Sequence, residues 1–201
     1  MRDKLWYMVL VLGCVAAVFG GALAFVNAHT RDVIEERTFR ETVLPTLENV
    51  FAPYRPTNDF LKDKKSERVG EDAMGRQIRA DIYVAQKNKM PLAMATILDG
   101  RGYGGIIRVM VAVDVNKKEI IATRTLQQTE TRGLGDQIAN PEEPFVKQFN
   151  GMRMEANLKL TSEGGQVDGM SGATVTSTAY AKTVKAACHL LLNQISQKGA
   201  P

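Results

Sequence analysis

Cysteine and histidine are scarce in this chain: Cys14, Cys188, His29 and His189 are the full complement. A zinc or iron–sulfur site needs several such ligands at tight spacing. Cys188 and His189 are adjacent, and neighbours on a helix point about 100° apart, so they do not share one ion easily. A metal centre is therefore not expected, and two cysteines give no disulfide framework. An excess of one charge is also missing. The 26 basic residues are offset by 22 acidic ones, for a net charge of +4. No basic run is interleaved with aromatics, so nucleic acid is not an expected partner. What is present is apolar material. Hydrophobic residues make up 44% of the 201 positions, enough for one medium domain plus an appendage.

The appendage stands at the N-terminus. No charged residue occurs between Leu5 and Val26. As a helix that run reaches roughly 33 Å, against a hydrocarbon core of about 30 Å. Trp6 and Tyr7 sit at its start, where amphipathic rings favour the membrane interface. Arg2 and Lys4 precede it, whereas the flank after it (Arg31, Asp32, Glu35, Glu36, Arg37) has no basic excess. The positive-inside rule then predicts a single-pass protein of the cell (inner) membrane. Its N-terminus is cytoplasmic and the remainder lies on the periplasmic, extracytoplasmic side. Two other readings stay open: a signal peptide cleaved near Ala22-Leu23-Ala24, and lipidation of Cys14 after Gly13. The length of the run and its continuation through Phe25 and Val26 favour an uncleaved anchor, taken as residues 1–28.

Residues 29–76 read as a connecting segment. Apolar positions from Val33 to Phe51 approximate helical spacing, Pro45 interrupts them, and Pro53 and Pro56 end them. Asp59 to Arg76 is charged, contains Gly70 and Gly75, and reads as a loop or linker with room for one short helix. From 77 to 201 a domain is expected. Ile78, Ala80, Ile82 and Val84 alternate as in a half-buried strand, and Leu92 to Leu98 follows after a hairpin loop at Gln86–Lys89. Ile106 to Val115 and Glu119 to Leu126 form the next pair, turned by Asn116-Lys117-Lys118. Short connections imply an antiparallel sheet. A short helix is expected over Glu142–Phe149, a further strand near Leu158–Leu160, and a last helix over Ser177–Gln197. Ala181, Val184, Cys188, Leu191 and Ile195 line one face of that helix, with Cys188 in the core. The fold class is α+β: a transmembrane helix followed by an antiparallel sheet packed with helices.

Three segments can carry chemistry. The first is Asp168-Gly169-Met170-Ser171-Gly172-Ala173-Thr174, between a loop and the last helix. It reads as a plain helix start, with Ser171 or Thr176 as the cap. It also reads as a phosphate site, because amides at a helix N-terminus attract anions and a hydroxyl there can become a phosphoester. Threonine is a weak nucleophile unassisted. Asp168 is the nearby carboxylate that can help, by holding a Mg²⁺ of a modifying enzyme. The second segment is Glu130-Thr131-Arg132-Gly133-Leu134-Gly135-Asp136, after the second hairpin. On its own it is a glycine turn. The third, Gly102-Tyr103-Gly104-Gly105, reads on its own as a turn or bulge before the strand at Ile106.

Together these segments resemble the FMN-binding domain family. The first is similar to its flavinylation motif, an Asp, two free positions, Ser or Thr, then Gly-Ala-Thr. The second is similar to its Glu-Thr-x-Gly-Leu-Gly loop, with Arg132 where Pro is common. The resemblance implies FMN joined covalently through its phosphate to Thr174 by a separate flavin transferase that uses FAD. It places Asp168, Ser171, Gly172 and Ala173 around that bond. It places Glu130, Thr131, Gly133, Leu134, Gly135 and Tyr103 near the isoalloxazine ring. No residue is read as catalytic and none as a metal ligand. With its single anchor and this length, the chain further resembles the G subunits of Rnf (Rsx) electron transport complexes. Those couple ferredoxin and NAD redox chemistry to Na⁺ or H⁺ transport. The implied role is an electron relay within a translocase, with little catalysis in isolation and other membrane subunits of the complex as partners. A counterpart of the C subunits of sodium-translocating NADH–quinone reductases is an alternative. So is a membrane-tethered, non-redox binding or assembly module.

Overall fold

A computed structural model describes residues 2–71 and 77–198. The chain divides into two compact units, residues 1–43 and 44–201. The first is one long helix, α1 (Arg2–Thr38), continued by a π-helical turn at Phe39–Val43. Its stretch Trp6–Thr30 is long and apolar enough to cross a membrane. Leu12, Phe19, Leu23 and Phe25 are all exposed. A helix that is apolar on every side suits an apolar surrounding. The wide turn comes where Pro45, lacking an N–H, withdraws a donor from the helical ladder. This is the interruption expected at that proline.

The second unit begins with α2 (Leu44–Phe51) and is built on a five-stranded antiparallel sheet in simple sequence order. Its strands are β1 (Lys65–Glu71), β2 (Gln77–Lys87), β3 (Met90–Arg101), β4 (Ile106–Asp114) and β5 (Glu119–Gln127). Strands β2 to β5 stand where alternation predicts them. The first hairpin is tighter than expected: only Asn88 and Lys89 turn the chain, with φ of 54° and 65°. Two successive left-handed residues make the mirror-image turn that matches strand twist. β1 corrects the reading of Asp59–Arg76 as a loop, although residues 72–76 lie outside the described residues. An edge strand has one partner and one wet flank. Lys65, Glu67 and Arg68 therefore sit on it without being buried, and their charge hides the strand from a hydropathy pattern. Leu158–Leu160 forms no strand, only a bridge from Leu160 to Val167.

Both faces of the sheet are covered. On one, Ile82, Val84, Met94, Ile107, Val109, Val111 and Val113 pack with Tyr180, Val184, Cys188 and Leu191 of α4 (Thr174–Lys198). The one-turn helix α3 (Pro144–Lys147) joins this core through Phe145 and Val146. Burial pushes the Cys188 thiol up to about 12, so it behaves as an inert apolar group. The alternate set, Ala85, Ala93, Ala95, Met110 and Ala112, is buried on the other face, where α2 supplies Leu47, Val50 and Phe51. Phe60 closes on Phe51 with ring centroids 5.7 Å apart.

The register puts the β3–β4 turn at one end of the sheet and the β2–β3 and β4–β5 turns at the other. The second end is tied down by Asp114. Its carboxylate accepts from the Tyr54 hydroxyl at 2.7 Å and from the Asn116 and Lys117 amides at 2.9 and 2.8 Å. Burial raises its pKa, but these donors together outweigh burial and hold it below the ordinary aspartate value. A depressed folded pKa contributes stability above the unfolded value of about 3.9 and loses it as pH falls through the folded value. Acid titration of the wild type is therefore expected to show a loss of thermal stability below about pH 4 that Asp114→Asn partly removes. Identical acid limbs in the two proteins would contradict this assignment.

Candidate functional site

The site is best built from the first turn of α4. Ser177 N–H bonds the carbonyl of Ala173 at 2.9 Å, so Ala173 is the cap residue and Thr174, Val175 and Thr176 are the first three helical positions. Neither Ser171 nor Thr176 is the cap that a plain helix start predicts. The alanine side chain has no oxygen to offer, so Ala173 gives the leading amides of Thr174 and Val175 no side-chain cap. The Thr174 and Val175 side chains are exposed, as are Ser171 and Gly172, while Ala173 is buried. Gly172 has φ 74°, and a Cβ there would come within 3.2 Å of Leu134 Cδ2. Glycine at 172 thus serves both the left-handed turn and the close approach of Leu134.

Two polar side chains outside the assigned motif residues hold this turn in place. Buried Ser177 accepts from the Met170 amide at 3.0 Å and donates to the Ala173 carbonyl at 2.9 Å. Gln148, just after α3, accepts from the Asp168 N–H and donates to the Asp168 carbonyl, both at 2.8 Å. The backbone at Asp168 is thereby fixed. Its carboxylate is exposed and makes no hydrogen bond or ion pair among the described residues. The serine lies three residues past the first segment, where the last helix is expected to start. Gln148 gives no local signal, because its contact spans 20 residues.

Glu130 joins the remaining segments. It is 7% exposed, and its carboxylate points inward. Oε1 accepts from the Gly104 amide at 3.0 Å, and Oε2 accepts from the Tyr103 amide at 3.2 Å and from the Thr176 hydroxyl. Gly135 runs past this carboxylate so closely that a Cβ would meet Thr176 Oγ1 at 2.7 Å and Glu130 Oε2 at 2.9 Å. The structure thus brings together Tyr103, Glu130, Gly135 and the first turn of α4, and separately seats Leu134 on Gly172. Between these contacts the loop is closed by bonds from the Leu134 and Asp136 amides to the Thr131 carbonyl, and from the Gly133 amide to Asp136 Oδ1. Thr131 and Gly133 are exposed.

Each of the three segments carries an exposed apolar side chain or is followed by one. Tyr103 is 74% exposed, Val175 54% and Leu134 42%. Scattered exposed apolar residues are ordinary, but three carried on segments that converge on one helix start form a surface to be covered. The pairing of uncapped amides, an exposed hydroxyl and apolar side chains suits a ligand with a phosphate at one end and a flat ring at the other. No cluster of metal-ligating side chains occurs among the described residues.

A model of the FMN-binding domain matches residues 102–189, which contain all three segments. The G subunit of the ion-translocating oxidoreductase complex of Cereibacter sphaeroides is 32% identical over 179 residues, covering 87% of this chain and 78% of that protein. Its counterpart from Shewanella baltica is 30% identical over 202 residues, covering 98% and 94%. Among solved structures, the C subunit of the Na⁺-translocating NADH-quinone reductase from Parabacteroides distasonis aligns with 67% of this chain and 77% of its own. That alignment has 20% identity and a TM-score of 0.49. Extended over nearly the whole chain at this level of identity, the match to the oxidoreductase relatives shows that the protein belongs to the family of G subunits of ion-translocating oxidoreductase complexes, with an FMN-binding domain.

Proposed function

We propose that this chain is an electron-relay subunit of a membrane-bound, redox-driven ion-translocating complex, with FMN held by a phosphoester to Thr174. The observation that carries the reading is the start of α4. An exposed threonine hydroxyl stands at the first position of a helix whose cap residue offers no side-chain oxygen, inside the match to the FMN-binding domain. A phosphate at Thr174 satisfies the amides that Ala173 leaves open and complements the helix dipole. Ser171, Gly172 and Ala173 leave space beside the ester, and Gly172 lets Leu134 come close. Leu134 and Tyr103 supply an apolar surface for a ring. Asp168, with its carboxylate unpaired among the described residues, is available to the metal of the flavin transferase that makes the bond. The flavin supplies one- or two-electron redox chemistry when bound, and the protein supplies attachment, orientation and tuning.

The remaining assignments follow from the anchor. We place Trp6–Thr30 across the inner membrane, the N-terminus in the cytoplasm and the flavin domain on the periplasmic side. Covalent attachment keeps the cofactor from diffusing away there. Trp6–Thr30 contains no Asp, Glu, Lys or Arg, so ion passage belongs to other subunits of the complex. Protein purified from its native membranes is expected to exceed its sequence mass by one FMN less one water and to keep flavin fluorescence after denaturation. An unmodified mass would overturn the redox reading and leave the tethered binding module. A reporter fused after Pro201 is expected to be active only outside the cytoplasm, and cytoplasmic activity would overturn the orientation.

A further inference from the structure

We propose that Glu130 is a positioning residue rather than a contact for the cofactor. Its carboxylate clips the Gly102–Gly105 turn and the first turn of α4 into one unit. Three donors from two distant parts of the chain converge on it: the amides of Tyr103 and Gly104, and the hydroxyl of Thr176. At 7% exposure it leaves little surface for a ligand. Charge-assisted bonds to a buried carboxylate are about twice as strong as neutral ones, which suits a clip between loops that are otherwise exposed.

The chemistry of the donors makes the residue type specific. A hydroxyl can donate or accept, but a backbone N–H only donates. Each oxygen of Glu130 accepts from a different backbone amide, Oε1 from Gly104 and Oε2 from Tyr103. Glutamine has the same shape and one accepting oxygen. Whichever way its amide is turned, its NH₂ faces a backbone N–H and one of the two bonds is lost. The glycines follow from the same construction. A Cβ at Gly102 would lie 2.3 Å from Glu130 Oε1, and one at Gly135 would lie 2.9 Å from Oε2. The carboxylate is wrapped so closely by backbone that side chains are excluded beside it. Through Thr176 the clip reaches two residues beyond Thr174, so it sets the turn carrying Tyr103 relative to the attachment point.

The effect on the flavin rests on the proposed attachment at Thr174, and the effect on the clip does not. The test uses the full-length chain, made with a flavin transferase, and compares wild type with Glu130→Gln, Thr176→Val and Thr176→Ser. Hydrogen exchange at Tyr103 and Gly104 is expected to quicken by about tenfold or more in Glu130→Gln, with core amides such as that of Val111 unchanged. The visible band and reduction potential of the bound flavin are expected to shift with it. Thr176→Val should move both readouts in the same direction by less, and Thr176→Ser, which keeps the hydroxyl, should restore them. If Glu130→Gln fails to fold, the Thr176 pair decides. Wild-type exchange at Tyr103 and Gly104 in these variants, or an unshifted flavin once exchange has quickened, would overturn the proposal. A wild-type chain that takes no FMN would overturn the attachment instead, while the exchange arm would still report on the clip.

Discussion

Thr174→Ala is expected to abolish flavin attachment completely while leaving the fold as stable as the wild type. The two halves of that expectation have separate causes. Thr174 is exposed at the first position of α4, and its hydroxyl makes no hydrogen bond among the described residues. Surface changes of this kind shift stability by no more than about 0.5 kcal/mol, and alanine is the better helix former. Attachment is all or none, because the hydroxyl provides the only oxygen for the ester at this position. Thr174→Ser keeps that oxygen and is expected to keep some flavin. The measurement is intact mass together with fluorescence after denaturation, alongside a melting curve. Flavin that survives denaturation on Thr174→Ala would move the attachment to another residue, with exposed Ser171 the first to examine. A large drop in melting temperature would instead show that the threonine has a structural role its surroundings do not suggest.

Phe149→Ala is expected to do the reverse, removing stability by about 3–5 kcal/mol. Phe149 is fully buried, and its ring centroid lies 5.6 Å from that of Phe145 and 5.5 Å from that of Tyr180. Phe145 and Tyr180 are themselves 5.5 Å apart, so the three rings form a closed cluster between α4 and the α3 segment. Truncation leaves a ring-sized hole bounded by other rigid rings, which collapse into it poorly. Gln148, the residue that clamps Asp168, is the immediate neighbour. Loss of the cluster is therefore expected to loosen the Asp168–Ala173 turn and slow flavin attachment even where the protein still folds. Chemical unfolding of the full chain would measure the first effect and the rate of mass gain the second. A loss of less than about 1 kcal/mol would show that the cluster contributes far less than its burial implies.

The two predictions separate what is local in this molecule from what is not. The N-terminal apolar helix, strands β2 to β5, the last helix and the three candidate segments were legible in the chain. Each is a pattern that one short segment carries by itself: an uncharged run, alternation, three–four spacing, or a motif. The start of α4 was legible only in part. Expected at Ser177, it begins at Thr174, and the cap is an alanine that no propensity would select. β1 was not legible, because an edge strand tolerates charge on its open flank and loses the hydropathy pattern. The cover that α2 gives the alanine-rich face was not legible either, since those alanines read as background in each strand.

By itself, then, the sequence determined the apolar N-terminal helix, four of the five strands and the last helix, and it marked Thr174, the Glu130 loop and Tyr103 as one family's motif. Only the tertiary structure decided what those residues do to one another. It turned Glu130 inward to accept from Tyr103, Gly104 and Thr176, seated Leu134 on Gly172, and fastened Asp168 to Gln148. The physical reason is that hydrogen bonds between segments 20 to 46 residues apart depend on where the sheet brings its ends. A local pattern records only what each segment can satisfy within its own few residues.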